Sequence, residues 1–441
     1  MAEYKKPNSE AEFQENFKLK KPLMNDTEAY YESSRCLFCY DAPCIKACPT
    51  GIDIPLFIKQ IHTQNTEGAA KTIYDSNWLG NACGTVCPTE VLCEGACVYN
   101  HQDIKPLQIG RLQNYATNNV IDSNKKIYKT GDLHGLKIAI IGAGPAGIAC
   151  ACEARTLGYE VDIFEAKDKP SGLTVHGIAP YKITNEEVLK EVTFLQNQLG
   201  FNIKYNVAIS TQEQIKNLES NYDAIFIGIG LGKTAALKLK GENKAGVVGA
   251  VEFIEDLRMK HHLLQIPDKV IVLGGGNTAM DAASEAARMG AQEVTIAYRR
   301  SKNEKGAYGF EYDLALGAGV KGLFNSSPIE IIGSEKVTAV KFIKTRTFEN
   351  TLHPVIGTEF KIECDLVIKA TGQVKQGHFY QLIDKLEVDH KKRIKINAET
   401  FQTSNPKYFA GGDAINGGAE VVNAAYDGKM AAQGIHQWLK K

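Results

Sequence analysis

From Pro55 to Tyr74 apolar residues recur at intervals of three and four, the spacing of one buried helix face. Alternating strand patterns are nearly absent before residue 130. The texture changes at Leu136, where KIAIIGAGPAGIACACEARTLG is followed by VDIFE. That order predicts a strand over Lys137–Ile141, a glycine turn, a helix and a second strand. KVIVLGGGNTAMDAASEAARMG and then VTIAYRR repeat the layout from Lys269 without close sequence identity. Further on, KIECDLVIKATG and PKYFAGGDAINGG read as short buried strands ending in glycine, and an amphipathic helix is expected from about Val421 to Leu439.

With 441 residues the chain exceeds one core, and ordinary domain sizes suggest about three. A composition of 44% hydrophobic and 23% charged residues belongs to a folded protein. Lys plus Arg equals Asp plus Glu at 51 each, so the long-range basic field that attracts nucleic acid or anionic membranes is missing, and neither partner is expected. MAEYKKPNSEAEFQENFKLKK carries no apolar signal core. The longest uncharged stretch, Ile138–Cys152, is shorter than the roughly 20 residues a membrane helix needs. A cytoplasmic location is the resulting expectation.

The first glycine turn spells GxGxxG with Gly142, Gly144 and Gly147, enclosing Pro145 and Ala146. Such glycines allow a tight turn, a close backbone approach to a pyrophosphate and close helix packing, while the helix N-terminus attracts negative charge. Glu165 ends the next strand, 18 residues beyond Gly147, where a carboxylate can accept from ribose hydroxyls. In the second turn Gly274 and Gly276 precede Asn277 and Thr278, and Ala279 takes the third glycine position. Here the following strand ends in Arg299 and Arg300 instead of an acid. Guanidinium groups there complement a ribose 2′-phosphate, which leans toward NADPH; solvated surface charge is the alternative. Two dinucleotide modules in one chain suit hydride transfer between a nicotinamide and a flavin, FAD. Gly412 and Asp413, in AGGD at a late strand end, are placed to meet the flavin ribityl or phosphate groups. No side chain need act as acid or base, so no catalytic residue is expected beyond the flavin.

Eight of the eleven cysteines fall between Cys36 and Cys97. Cys36, Cys39, Cys44 and Cys48 are spaced C-x2-C-x4-C-x3-C-P, and Cys83, Cys87, Cys93 and Cys97 follow. Short thiolate spacing of this kind wraps iron–sulfur clusters, and the C-x3-C-P ending is that of ferredoxin runs, whose last cysteine serves the other cluster. Structural zinc prefers paired CxxC elements, which the second group lacks. Bare counting gives two four-cysteine sites. Cys150, Cys152 and Cys364 read as small buried residues, and no CxxC marks a thioredoxin-reductase-like centre.

RCLFCYDAPCIKACPTGIDIPLFI, GNACGTVCPTEVLCEGACV, IGRLQNYAT, GAGPAG, GGGNTAMD and AGGDAINGG occur in this order. The whole resembles the N-terminal flavin and iron–sulfur half of dihydropyrimidine dehydrogenase and the separate flavin subunit of the bacterial two-subunit enzyme. The related glutamate synthase small subunit is the second resemblance. The first implies an α/β fold in which an N-terminal α-helical iron–sulfur domain, residues 1–130, precedes two Rossmann-like domains. FAD would occupy 131–267 and 370–441, with an NAD(P) domain, 268–369, inserted between them. It also implies one 4Fe-4S cluster on Cys36, Cys39, Cys44 and Cys97 and another on Cys48, Cys87, Cys93 and the amide of Gln113, which leaves Cys83 out. Lys182, in GIAPYKI, aligns with a basic flavin-contacting position, and Gly172 and Leu173 join the flavin candidates. An FMN-containing dihydropyrimidine dehydrogenase subunit is the implied partner. The bacterial enzymes of this kind are NADH-linked, so NADH and NADPH both stay open. A zinc-stabilised nucleotide-binding module without enzymatic activity is the competing reading from another class.

Overall fold

The structure is a computed structural model that describes residues 4–349 and 351–440. Its chain divides into two compact units. One contains Lys20–Val175, Lys182–Leu231 and Lys375–Lys441 and bears all the clustered cysteines; the other contains Met1–Leu19, His176–Tyr181 and Gly232–Val374 and is inserted into it.

The cysteine-bearing unit begins with short helices, among them Asp26–Ser34, Pro43–Ala47, Ile54–His62, Thr66–Ser76, Gly80–Val86 and Ile109–Asp122. No strand occurs among the described residues before Lys137. The single helix expected over Pro55–Tyr74 is two. Gln64 takes φ +61°, and the Asn65 side chain accepts from Gly68 N to start a new helix, so local capping overrides the continuing apolar spacing. Phe57, Ile61, Ile73, Leu112 and Ala116 form the core of this helical section, with Cys36, Cys44, Cys48 and Cys93 packed against it.

Four strands follow in the same unit: β1 (Lys137–Ile141), β2 (Glu160–Phe164), β3 (Asn202–Lys204) and β4 (Ala224–Ile227). The inserted unit supplies β5 (Val247–Gly249), β6 (Lys269–Leu273), β7 (Glu293–Ala297), β8 (Lys321–Leu323), β9 (Ser326–Ile332), β10 (Ala339–Phe348), β11 (Thr351–Pro354), β12 (Phe360–Glu363) and β13 (Leu366–Lys369). The chain then returns with β14 (Tyr408–Ala410). Strands β14-β4-β1-β2-β3 form a parallel sheet in the first unit. In the second, β5-β13-β6-β7-β8 form a parallel sheet, beside an antiparallel one made by β9 to β12. Uninterrupted apolar runs such as KIAII and KVIVL suit parallel strands covered on both faces.

Helix Pro145–Thr156 and the C-terminal helix Val421–Leu439 run together in the first unit. Their approach is so close that a Cβ on Gly428 would stand 1.9 Å from Ala146 O, which only glycine avoids. The insertion extends from Gly232 to Val374 instead of the expected 268–369. The reason lies in packing: β5 is an edge strand of the inserted sheet, and Phe253, Ile254 and Leu257 of the next helix enter its core. Residues up to Leu19 also depart from the expected division. Phe13 of helix Glu10–Asn16 and Phe17 at its C-terminal end are buried with Tyr181, Phe253 and Met280, each worth about 1.5–3 kcal/mol of transfer free energy. Asn16 Nδ2 donates to Arg288 O at 2.7 Å and fastens that segment to the inserted unit.

Candidate functional site

Two cavities divide the cysteines. Cys36, Cys39, Cys44 and Cys97 line the first, together with Leu37, Ile54, Ile58 and Leu107. Cys48, Cys87 and Cys93 line the second with Cys83, Gln113 and Asn77. The chain achieves this interleaving at Cys48, which leaves helix Pro43–Ala47 in an extended conformation, φ −83° and ψ 120°. Cys97 returns to the first cavity after a backbone knot in which Thr89 O accepts from Leu92, Glu94 and Gly95. Among the described residues no three His, Cys, Asp or Glu side chains converge as ligands of a single metal ion; the sulfurs line voids.

Burial raises the thiol pKa of Cys36 and pushes that of Cys44 up to about 11. Cys87 is pushed far up, first by a hydrogen bond with the Cys83 thiol and then by burial, and burial also raises Cys93. Thiols in such surroundings stay protonated unless a cation draws the proton off, as coordinated iron does. What fits both sets to a cluster is that their thiols converge on a shared void, where iron would draw the protons off.

Gln113 is 6% exposed, and its Nε2 donates to Gly80 O at 2.6 Å. That bond distinguishes the two amide atoms, and among the described residues Oε1 accepts no hydrogen bond. Cys83 is 2% exposed and stands on the same wall. Beneath them lies Glu191, absent from the sequence-derived candidates. Its carboxylate accepts from Asn81 N at 2.6 Å, Ala82 N at 2.9 Å and Tyr74 Oη at 3.2 Å, and so caps helix Gly80–Val86. Complete burial pushes its pKa up to about 7 against these donors. A glutamate inside an ordinary amphipathic helix gives no sequence signal of this role.

At the first glycine turn Gly142 has φ +100°, and a Cβ on Gly147 would meet Gly142 O at 2.0 Å. Glu165 is buried, and its Oε2 accepts from Ala143 N at 2.7 Å while Oε1 accepts from Lys167 N at 2.8 Å. It braces the turn, and the second lone pair of each oxygen stays available to a ribose. Gly172, φ +50°, just ahead of Leu173, lies so close to Gly144 that an added Cβ would stand 3.2 Å from the Gly144 Cα. The hydroxyls of Ser171 and Thr174 beside it are buried without partners, as expected of groups that meet a bound cofactor. Lys182 is half-buried at the start of a later segment of this unit.

Gly412, φ +69°, starts the four-residue helix Asp413–Asn416. Asp413 Oδ1 accepts from Ala419 N at 3.1 Å, and burial raises its pKa. Asp427, another residue the sequence did not single out, reaches from the C-terminal helix to accept from Gly412 N at 2.9 Å. Burial pushes its carboxyl up to about 6, and Asp413 adds to the rise. The same helix carries Val422, which lines the second cysteine cavity, and Ala424, 3.5 Å from the Cβ direction of Gly412.

In the inserted unit Gly276 precedes helix Asn277–Arg288, and Asn277 Oδ1 accepts from Tyr308 N at 3.0 Å. Thr278 is exposed on its first turn. Gly274 must lack a side chain because a Cβ would meet Ala370 O at 2.5 Å. Arg299 is exposed, and Arg300 is half-buried with an unpartnered Nε. Glu304 lies near Arg300, yet neither guanidinium forms an ion pair among the described residues, so both stay available to a phosphate.

Residues 13–125 match the family described as dihydropyrimidine dehydrogenase domain II, 4Fe-4S cluster, and residues 136–428 match the pyridine nucleotide-disulphide oxidoreductase family. The NAD-dependent dihydropyrimidine dehydrogenase subunit PreT of Salmonella typhimurium is 33% identical over 94% of this chain and 95% of its own length. The glutamate synthase [NADPH] small chain of Escherichia coli is 32% identical over 94% of this chain and 92% of its own. Among solved structures, Mycobacterium tuberculosis FprA in complex with NADPH shares the fold at TM-score 0.58 and 19% identity, over 69% of this chain and 84% of that one. No helix among the described residues is long and apolar enough to cross a membrane. The chain belongs to the pyridine nucleotide-disulphide oxidoreductase family, as a member with an N-terminal 4Fe-4S domain, and is an NAD(P)H-dependent oxidoreductase that uses FAD.

Proposed function

We propose that this chain is the electron-input subunit of a cytoplasmic dihydropyrimidine dehydrogenase, taking hydride from NADH or NADPH and delivering electrons to an FMN-containing partner subunit that reduces uracil or thymine. The bound flavin supplies conversion of a hydride into single electrons, and two 4Fe-4S clusters supply their conduction. The chain's own residues bind and orient. Gly142, Gly144, Pro145, Ala146 and Gly147 would admit the FAD pyrophosphate, with Glu165 toward the ribose. Gly172, Leu173, Lys182, Gly412 and Asp413 would border the rest of that cofactor. Gly274, Gly276, Asn277 and Thr278 would take the nicotinamide nucleotide's pyrophosphate. Cys36, Cys39, Cys44 and Cys97 would hold one cluster; Cys48, Cys87, Cys93 and Gln113 the other.

The observation that carries this reading is the second cavity, where the thiols of Cys48, Cys83, Cys87 and Cys93 share the wall with a buried carboxamide whose oxygen accepts no hydrogen bond among the described residues. A harder, neutral ligand in place of a thiolate is what the dihydropyrimidine dehydrogenase resemblance implies there. That cavity is also the one bordered by the helix that braces the Gly412 turn. This continuity supports the order flavin, second cavity, first cavity. A cysteine-rich chain whose thiols must stay reduced until iron binds suits the cytoplasm.

Reconstitution with the FMN subunit tests the proposal: uracil-dependent oxidation of NADH or NADPH is expected only when both subunits are present, and none in the mixture would reject it. The second reading, a glutamate synthase small subunit, draws on the 32% identical relative. It would be established instead by glutamate formation with a large synthase subunit. Nucleotide choice has its own test. Replacing Arg299 and Arg300 together with Gln is expected to lower kcat/KM for NADPH relative to NADH by about tenfold or more, the loss of one or more charge-assisted hydrogen bonds. An unchanged ratio assigns both arginines to solvated surface.

A further inference from the structure

The second cysteine cavity contains one polar group that ligation leaves unexplained. Asn77 closes helix Thr66–Ser76, its backbone N–H donating to Ile73 O at 2.9 Å. Its side-chain Oδ1 accepts from Leu79 N at 3.0 Å, which fixes the amide's orientation. Nδ2 then points away from that turn, wholly buried and without a partner, in a residue only 1% exposed. Asn77 lines the same cavity as Cys48, Cys87 and Cys93. A buried amide with both N–H groups unmet is costly and rare unless something absent from the chain itself receives them. The other side-chain amide on this wall is already committed, since Gln113 Nε2 donates to Gly80 O.

We propose that Asn77 Nδ2 donates a hydrogen bond to a sulfur of the second cluster, either a sulfide or a coordinating thiolate, and thereby raises that cluster's reduction potential. The inference rests on the reading that this cavity holds a cluster, and it goes further by assigning a tuning residue beyond the ligands. Each added electron makes cluster sulfur a stronger acceptor, so an N–H donor favours the reduced state. Asn77 is a positioning and tuning residue; it is not a ligand.

Asn77→Ser and Asn77→Asp both retain an oxygen able to accept from Leu79 N, while neither retains the amide donors. Iron, acid-labile sulfide and redox titrations followed by paramagnetic resonance would be measured on the full-length holoprotein. For Asn77→Ser the expected result is unchanged iron and sulfide with one cluster harder to reduce. Its reduced-to-oxidised ratio at fixed poise should fall by about tenfold, equivalent to about 59 mV for a one-electron couple. Asn77→Asp should shift the same cluster further in that direction. The responding cluster should be the one disturbed by Gln113→Leu. Unaltered potentials at full iron content would overturn the proposal, as would loss of iron in both variants, which would make Asn77 a structural support. A wild-type protein without iron would instead reject the cluster reading itself, an outcome readable before any variant is made.

Discussion

The two cysteine cavities are built from different materials. The first draws its four thiols from the Cys36–Cys44 stretch and from Cys97, over an apolar floor of Ile54, Ile58, Leu107 and Ile109, and Leu37, Phe38 and Tyr40 in that stretch are exposed. The second draws three thiols into a wall completed by Asn77, Cys83, Gln113 and Val422, which come from four separate helices or helix ends. A site whose other walls are apolar depends for its polar contacts on its ligands alone. A site whose wall also carries the amides of Asn77 and Gln113 depends as well on the packing and capping that orient them.

Removing a thiol should therefore act most cleanly at the first cavity. Cys44→Ser is expected to abolish that cluster, halving iron to roughly half the wild-type content while the other paramagnetic signal persists, because a neutral hydroxyl cannot replace a thiolate on iron. Equal loss of both signals would erase the contrast. At the second cavity the sharper test pairs two variants: Gln113→Leu should disturb one cluster, and Cys83→Ser should leave both intact. An unchanged iron count for Gln113→Leu with a reduced count for Cys83→Ser would exchange the roles of these residues.

Supporting residues come next in size. Glu191→Gln keeps the volume but replaces one acceptor oxygen by a donor facing either Asn81 N or Ala82 N, a change expected to cost about 1–3 kcal/mol. Faster loss of iron from the second cavity on mild urea treatment, with the first unaffected, would show it. The smallest effect is spectroscopic. With its pKa pushed up to about 7, Glu191 is protonated below that pH and ionised above it. Difference infrared spectra should show a carboxylic C=O band that fades as pH rises through about 7 and is missing in Glu191→Gln. A band that persists unchanged in the variant belongs to another group.

Much of this arrangement was legible in the sequence, for identifiable reasons. Glycine turns between apolar runs announce strand, turn and helix because the steric demands at Gly142, Gly147 and Gly274 leave no other residue. The C-terminal helix likewise follows from its apolar period and spans Val421–Leu439. What spacing could not tell was how eight cysteines divide, since Cys48 is adjacent in sequence to one set and lines the cavity of the other. Asn77, Glu191 and Asp427 stayed hidden because a single polar residue has no period; burial and partners alone give it a role. The attachment of Phe13 and Phe17 to the inserted unit is equally nonlocal, arising from packing more than two hundred residues away in the chain.

Anaerobic titration of the purified protein with NADH or NADPH, followed by visible absorbance and low-temperature paramagnetic resonance, addresses the central claim. Flavin absorbance should bleach, and iron–sulfur signals should appear with reductant as the only electron source. A flavin that bleaches while no such signal develops, in protein shown to contain iron and sulfide, would contradict electron passage from the dinucleotide sites into the cysteine cavities.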